Sequence, residues 1–174
     1  MRHATVALTL LFGLSSLAAA EEVKVTGVHL CCGKCVKAAT AALQGIKGIS
    51  APRANQDEEV VTFNAEGTDL AEAGVAALAK AGFAGTATMG GAAVKAPASG
   101  IAAGAAGNAA TISNMHLCCG GCVRAAEGAI KEVSGVKSVT SDAKGGTIAV
   151  SGEAISLEAL LNALHEAGFH GSVN

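Results

Sequence analysis

Tryptophan and tyrosine are absent from the 174-residue chain, and phenylalanine occurs only four times. Basic residues number 12 against 14 acidic ones. With no basic stripe and no set of aromatic rings for bases to stack on, the composition excludes a nucleic-acid-binding surface. Proline is equally scarce, at two residues. No apolar run approaches the roughly 20 residues that a membrane-spanning helix requires. A Ser-His-Asp set, a phosphate-binding glycine loop and a paired-carboxylate motif are also missing, so the chain is not expected to be an enzyme.

What is present is concentrated in two places. The segment His29-Leu30-Cys31-Cys32-Gly33-Lys34-Cys35-Val36 returns as His116-Leu117-Cys118-Cys119-Gly120-Gly121-Cys122-Val123, 87 residues later counted from Cys35 to Cys122. Between them the two copies hold all six cysteines. Thiolates are soft ligands suited to Cu(I), Zn(II) and other thiophilic ions, and a Cys-x-x-Cys step brings two of them within reach of one ion. A structural disulfide role fits poorly, because three cysteines within five positions leave one unpaired and close almost no loop. Glycines beside the cysteines let each turn bend so that its sulfurs point to one side. A helix beginning at Cys35 and Cys122 would lower their thiol pKa through its dipole.

Residues 1–20 have the form of an export signal. Arg2 supplies the positive start, Val6 to Leu14 the apolar centre, and Ala18-Ala19-Ala20 the cleavage site. Cleavage near Ala20 would place the mature chain in a periplasm or outside the cell, with no membrane attachment. Loss of Arg2 takes the formal charge from −2 to −3.

In the remainder, alternating Val23 and Val25 predict a strand that runs into the cysteine turn. Val36, Ala39 and Leu43 fall at helical spacing, and Val60 to Phe63 read as another strand. Pro52 marks the second strand as an edge or a short one. A helix capped by Thr68 or Asp69 carries Leu70, Val75 and Leu78, and a short strand follows near Gly85 to Met89. The second copy repeats this order, with Ser156 capping its last helix. Both copies carry Ala-Gly-Phe after that helix, at Ala81-Gly82-Phe83 and Ala167-Gly168-Phe169. The order β-α-β-β-α-β, twice, is the split βαβ arrangement of an α+β protein. The expected division is a signal at 1–20, a first domain at 22–89, a Gly/Ala-rich flexible tether at 90–109, and a second domain at 110–174. Such a tether would let the two cysteine turns face each other or act apart.

Element order, cysteine turn and the Gly-Phe after the second helix together resemble the heavy-metal-associated domain, over about 22–89 and 110–174. That family includes small copper chaperones, amino-terminal domains of copper-transporting ATPases and a periplasmic mercury-binding protein. The resemblance implies two tandem ferredoxin-like domains, with Cys32 and Cys35, and Cys119 and Cys122, in the metal-binding positions. It further implies a metal cargo, Cu(I) first with Zn(II) or Hg(II) as alternatives, and a metal-transporting protein as partner. Leu30 and Leu117 stand where the family has a core-packing methionine. Two departures are specific to this chain: His29 and His116 replace glycine, and Cys31 and Cys118 add a third thiol to each turn. The third thiol would raise coordination to three or recruit a second ion. His29 and His116 stay open as ligands. His165 and His170 are read as solvated, and Phe83 and Phe169 as core plugs. Carriage, sequestration and sensing remain alternatives, beside a thiol–disulfide redox protein and a structural module with oxidised cysteines.

Overall fold

The computed structural model describes residues 20–173. All but the last residue of the expected signal therefore lies outside the described residues. Two sheets and four helices form two copies of one α+β unit. The first contains β1 (Glu21–Thr26), α1 (Gly33–Leu43), β2 (Ile49–Asn55), β3 (Val60–Ala65), α2 (Thr68–Lys80), β4 (Thr86–Met89) and a two-residue β5 (Ala92–Ala93). The second contains β6 (Ala106–Ser113), α3 (Gly120–Lys131), β7 (Val136–Asp142), β8 (Thr147–Ser156), α4 (Leu157–Glu166) and β9 (Ser172–Val173). The sheets run in the order β2-β3-β1-β4-β5 and β7-β8-β6-β9, with every pairing antiparallel. Each unit thus has the ferredoxin-like βαββαβ topology.

Period-2 burial sets the strands. Val23 and Val25 of β1 and Val61 and Phe63 of β3 point inward, and Val23 lies opposite Phe63 and Val25 opposite Val61 in the register. Leu43 from α1 and Leu78 from α2 close this core. In the second unit Ile112, Ile148 and Val150 meet Ile130, Leu160 and Leu164. Full burial of each such side chain contributes roughly 1.5–3 kcal/mol. Pro52 does lie on an edge strand, and the β2 register shifts between Ser50 and Arg53 around it.

Two local expectations change. Neither Thr68 nor Asp69 caps α2; Gly67 takes that position without a side-chain bond, and Thr68 is already helical. Ser156, in contrast, does cap α4, accepting from the Ala159 N–H at 3.2 Å. The segment expected as a tether, 90–109, carries strand at both ends, because Gly90 and Gly91 at positive φ turn the chain back so that Ala93 pairs with Thr88. Val94 is then buried, and β6 begins at Ala106.

The two units meet through their repeated parts. The Gly168 carbonyl accepts from the His29 and Ala84 N–H groups at 3.3 and 3.0 Å, and the Gly82 carbonyl accepts from the His170 N–H at 3.0 Å. Phe83 and Phe169 form an antiparallel bridge and are both buried, so these core plugs sit at the junction between the repeats. Gly82 and Gly168 have φ of +87° and +82°, and a Cβ on either would fall 2.4 and 2.3 Å from the backbone nitrogens of His116 and His29 in the opposite repeat. Glycine is required there by both conformation and space.

Candidate metal centre

Each cysteine turn joins the end of the first strand to the first helix. Leu30 and Leu117 anchor the turns by pointing into the core. Cys32 and Cys119 are the extended N-cap residues of α1 and α3, with φ/ψ of −163°/167° and −157°/169°. The helices therefore start at Gly33 and Gly120, two residues before the expected start at Cys35 and Cys122. Cys35 and Cys122 fall in the first turn with their side chains buried.

The junction at Gly82, Phe83, Gly168 and Phe169 brings the two turns face to face, and all six thiols gather in one place. Within each repeat the Cys-x-x-Cys sulfurs are 3.8 Å apart, Cys32 to Cys35 and Cys119 to Cys122. The third thiol of each turn crosses over. Cys31 Sγ lies 3.2 Å from Cys119 and 3.3 Å from Cys122, closer than the 3.8 Å to Cys35 of its own repeat. Cys118 Sγ lies 3.5 Å from Cys32, 3.4 Å from Cys35 and 3.7 Å from Cys122. Cys35 and Cys122, the two buried thiols, approach at 3.9 Å. All six are free thiols.

Electrostatics divides the cluster. Backbone N–H groups at the helix start hold the Cys32 thiol below its ordinary value, through Cys35 and Lys34. The same cause, through Cys122, with the thiol of Cys31 adding to it, lowers Cys119 to about 6. The helix terminus thus acts on the N-cap cysteine of each turn. Burial works the other way on Cys31 and Cys118, which are pushed up, and on Cys122, pushed up to about 12. Cys31, Cys118 and Cys122 thus keep their protons at neutral pH until a cation of high thiolate affinity displaces them.

Four of these sulfurs, Cys31, Cys118, Cys119 and Cys122, lie within 4.8 Å of one another, and so do Cys31, Cys32, Cys35 and Cys118. Either set offers the all-sulfur environment that soft metal ions prefer. His29 and His116 belong to neither set. His29 stacks on Phe169 at 4.3 Å between ring centroids, and His116 packs on Phe83 at 4.6 Å, each ring crossing to the opposite repeat. Burial lowers the pKa of both. His165 and His170, read as solvated, are half-buried and touch each other, Nε2 to Nδ1, at 3.2 Å.

Residues 110–170 match the heavy-metal-associated domain. The second repeat belongs to that family. Among solved structures the chain is similar to oxidised MerP from Ralstonia metallidurans CH34, with 26% identity over 40% of this chain and 99% of that one and a TM-score of 0.37. It is also similar to the N-terminal soluble domains of Bacillus subtilis CopA, with 19% identity over 91% of this chain and 96% of that one and a TM-score of 0.33. Comparison with curated proteins gives no match. The heavy-metal-associated turn of the second repeat carries Cys119 and Cys122, and Cys118 is its extra thiol.

What sequence reasoning missed is the direction of that extra thiol. Strand alternation sends neighbouring side chains to opposite sides, yet the Sγ atoms of Cys31 and Cys32 lie within 4.8 Å of each other in one set. Only the placement of the second repeat decides what Cys31 meets.

Proposed function

We propose that this chain is a non-enzymatic metal-binding protein of two heavy-metal-associated repeats, 22–89 and 110–174, that captures thiophilic ions through Cys31, Cys32, Cys35, Cys118, Cys119 and Cys122. One observation carries the reading: six free thiols from two turns converge at Sγ separations of 3.2–3.9 Å. Cu(I) is the first cargo, since thiolate-only sites select the softest available ion, with Zn(II) and Hg(II) as competitors. The family match of the second repeat supports a heavy-metal cargo.

Once an ion is captured, sequestration is the better account of its fate. Cys35 and Cys122 are buried and the other four sulfurs half-buried between the repeats, so a bound ion is walled on both sides. Release to a metal-transporting partner would start at the Gly33-Lys34 edge, where both residues are exposed. The export signal at 1–20 places this activity in a periplasm or outside the cell, and no described helix is long and apolar enough to cross a membrane.

Anaerobic titration of the reduced chain with Cu(I), against a colorimetric chelator, tests the reading. Tight uptake is expected, abolished or reduced at least tenfold in affinity by Cys32→Ser/Cys119→Ser. Uptake no stronger than that of free thiols would refute it. A thiol–disulfide role draws on the 3.2 Å approach of Cys31 and Cys119. It requires metal-free reduction of insulin-type disulfides, which the metal-binding reading does not expect.

A further inference from the structure

The two four-sulfur sets are not independent. Cys31 and Cys118 belong to both, while Cys32 and Cys35 belong only to one and Cys119 and Cys122 only to the other. Six sulfurs thus make two tetrahedra that share one edge, and the shared edge consists of the two thiols that the heavy-metal-associated pattern does not require. Bonds of about 2.3 Å put tetrahedral sulfurs roughly 3.8 Å apart and linear ones about 4.6 Å apart. The Cys-x-x-Cys pairs, at 3.8 Å in both repeats, have the closer spacing. Each pair is therefore set for an ion with further ligands, and the sulfurs nearest to supply them are Cys31 and Cys118.

We infer that the protein holds two soft d10 ions in one binuclear thiolate centre. Cys32 and Cys35 are terminal ligands of one ion, Cys119 and Cys122 terminal ligands of the other, and Cys31 and Cys118 bridge them. This inference rests on the metal-binding reading and deepens it: the two repeats make one centre instead of one site each. A single ion would use one tetrahedron and leave two sulfurs of the other repeat beside it, preorganised for the second. Uptake is therefore cooperative. With divalent ions the balance is two cations and six thiols giving a doubly negative M2S6 centre, with one proton released for every ligand that was a thiol before binding. No electron is transferred. The opposite repeats are then joined by metal–sulfur bonds as well as by the Gly82 and Gly168 hydrogen bonds.

The test is 113Cd NMR of the reduced full chain loaded anaerobically with 113Cd(II), a d10 probe that accepts four thiolates. The expected result is two ions per chain and two resonances in the thiolate region, each split by coupling to the other through the shared sulfurs. In Cys31→Ser/Cys118→Ser the splitting should vanish, and ions that remain should bind one per repeat without cooperativity. Circular dichroism and the backbone amide spectrum of this variant verify that the fold persists. If that fold is lost, single Cys31→Ser and Cys118→Ser variants serve, each expected to weaken the coupling. Two uncoupled cadmium ions in the unsubstituted chain would overturn the bridged centre while leaving metal binding intact. No cadmium or Cu(I) uptake at all would overturn both.

Discussion

At the scale of single residues, the six cysteines are chemically unequal although their sequence settings look alike. A thiol reacts as its thiolate, so reactivity follows the local pKa. Cys119, held at about 6 by backbone N–H groups, is largely thiolate at pH 7, whereas Cys122 at about 12 is a thiol. Brief iodoacetamide treatment of the reduced, metal-free protein at pH 7, with peptide mass mapping afterwards, should label Cys32 and Cys119 ahead of Cys31, Cys118 and Cys122. Labelling of Cys122 ahead of Cys119 would contradict this assignment. Both the thiols and their glycine-flanked turns were legible in the sequence. The partition was not, because the lowered pKa falls on the N-cap residue, and the helices start at Gly33 and Gly120, one residue after Cys32 and Cys119.

At the scale of elements, the repeated Ala-Gly-Phe explains how two small domains come to face each other. Periodicity identified all helices among the described residues and the main strands, since burial alternates along β1 and β3 and recurs at helical spacing in α1 and α3. It did not identify what Gly82 and Gly168 do, because their carbonyls bond to the opposite repeat and no local pattern reports that contact. Strand at the ends of 90–109 escaped for a related reason: pairing with β4 and β8 gives order to a Gly/Ala-rich stretch of low intrinsic preference. Alanine at Gly82 or Gly168 would combine a positive φ with a clash against backbone, so each substitution should cost more than about 1 kcal/mol. Urea unfolding measures this, with a lowered midpoint expected for both. A midpoint equal to that of the unsubstituted chain would show that the repeats do not pack through these glycines. Phe83→Ala and Phe169→Ala, which empty buried space at the same junction, should cost about 3–5 kcal/mol each by the same assay.

At the scale of the whole molecule, the junction makes stability depend on acidity. Burial lowers the pKa of His29, His116, His165 and His170, opposed at His29 by Glu59 and reinforced at His116 by His29 and at His170 by His165. A histidine with a depressed folded pKa binds fewer protons folded than unfolded. Its contribution is complete above the unfolded value of about 6.5 and is lost as pH falls below it. Cys119 acts in the same direction, but its contribution is lost higher, between its unfolded value and about 6. Thermal melts of the reduced, metal-free chain should therefore show a Tm that falls steadily from pH 6.5 to pH 5. A Tm that is flat or rises over that window would contradict the burial of these imidazoles at the junction.

If the thiols of both repeats act on the same ions, metal bound by the first repeat must depend on the second. Replacing Cys118, Cys119 and Cys122 together by serine removes every thiol of the second repeat and leaves Cys31, Cys32 and Cys35 in place. Cu(I) affinity of what remains is then measured anaerobically by chelator competition. A shared centre predicts that the first repeat alone binds at least tenfold more weakly than the intact chain, a loss of about 1.4 kcal/mol or more, because Cys118 no longer stands 3.5 and 3.4 Å from Cys32 and Cys35. One ion per chain, bound with the affinity of the intact protein, would show two independent sites and contradict the account.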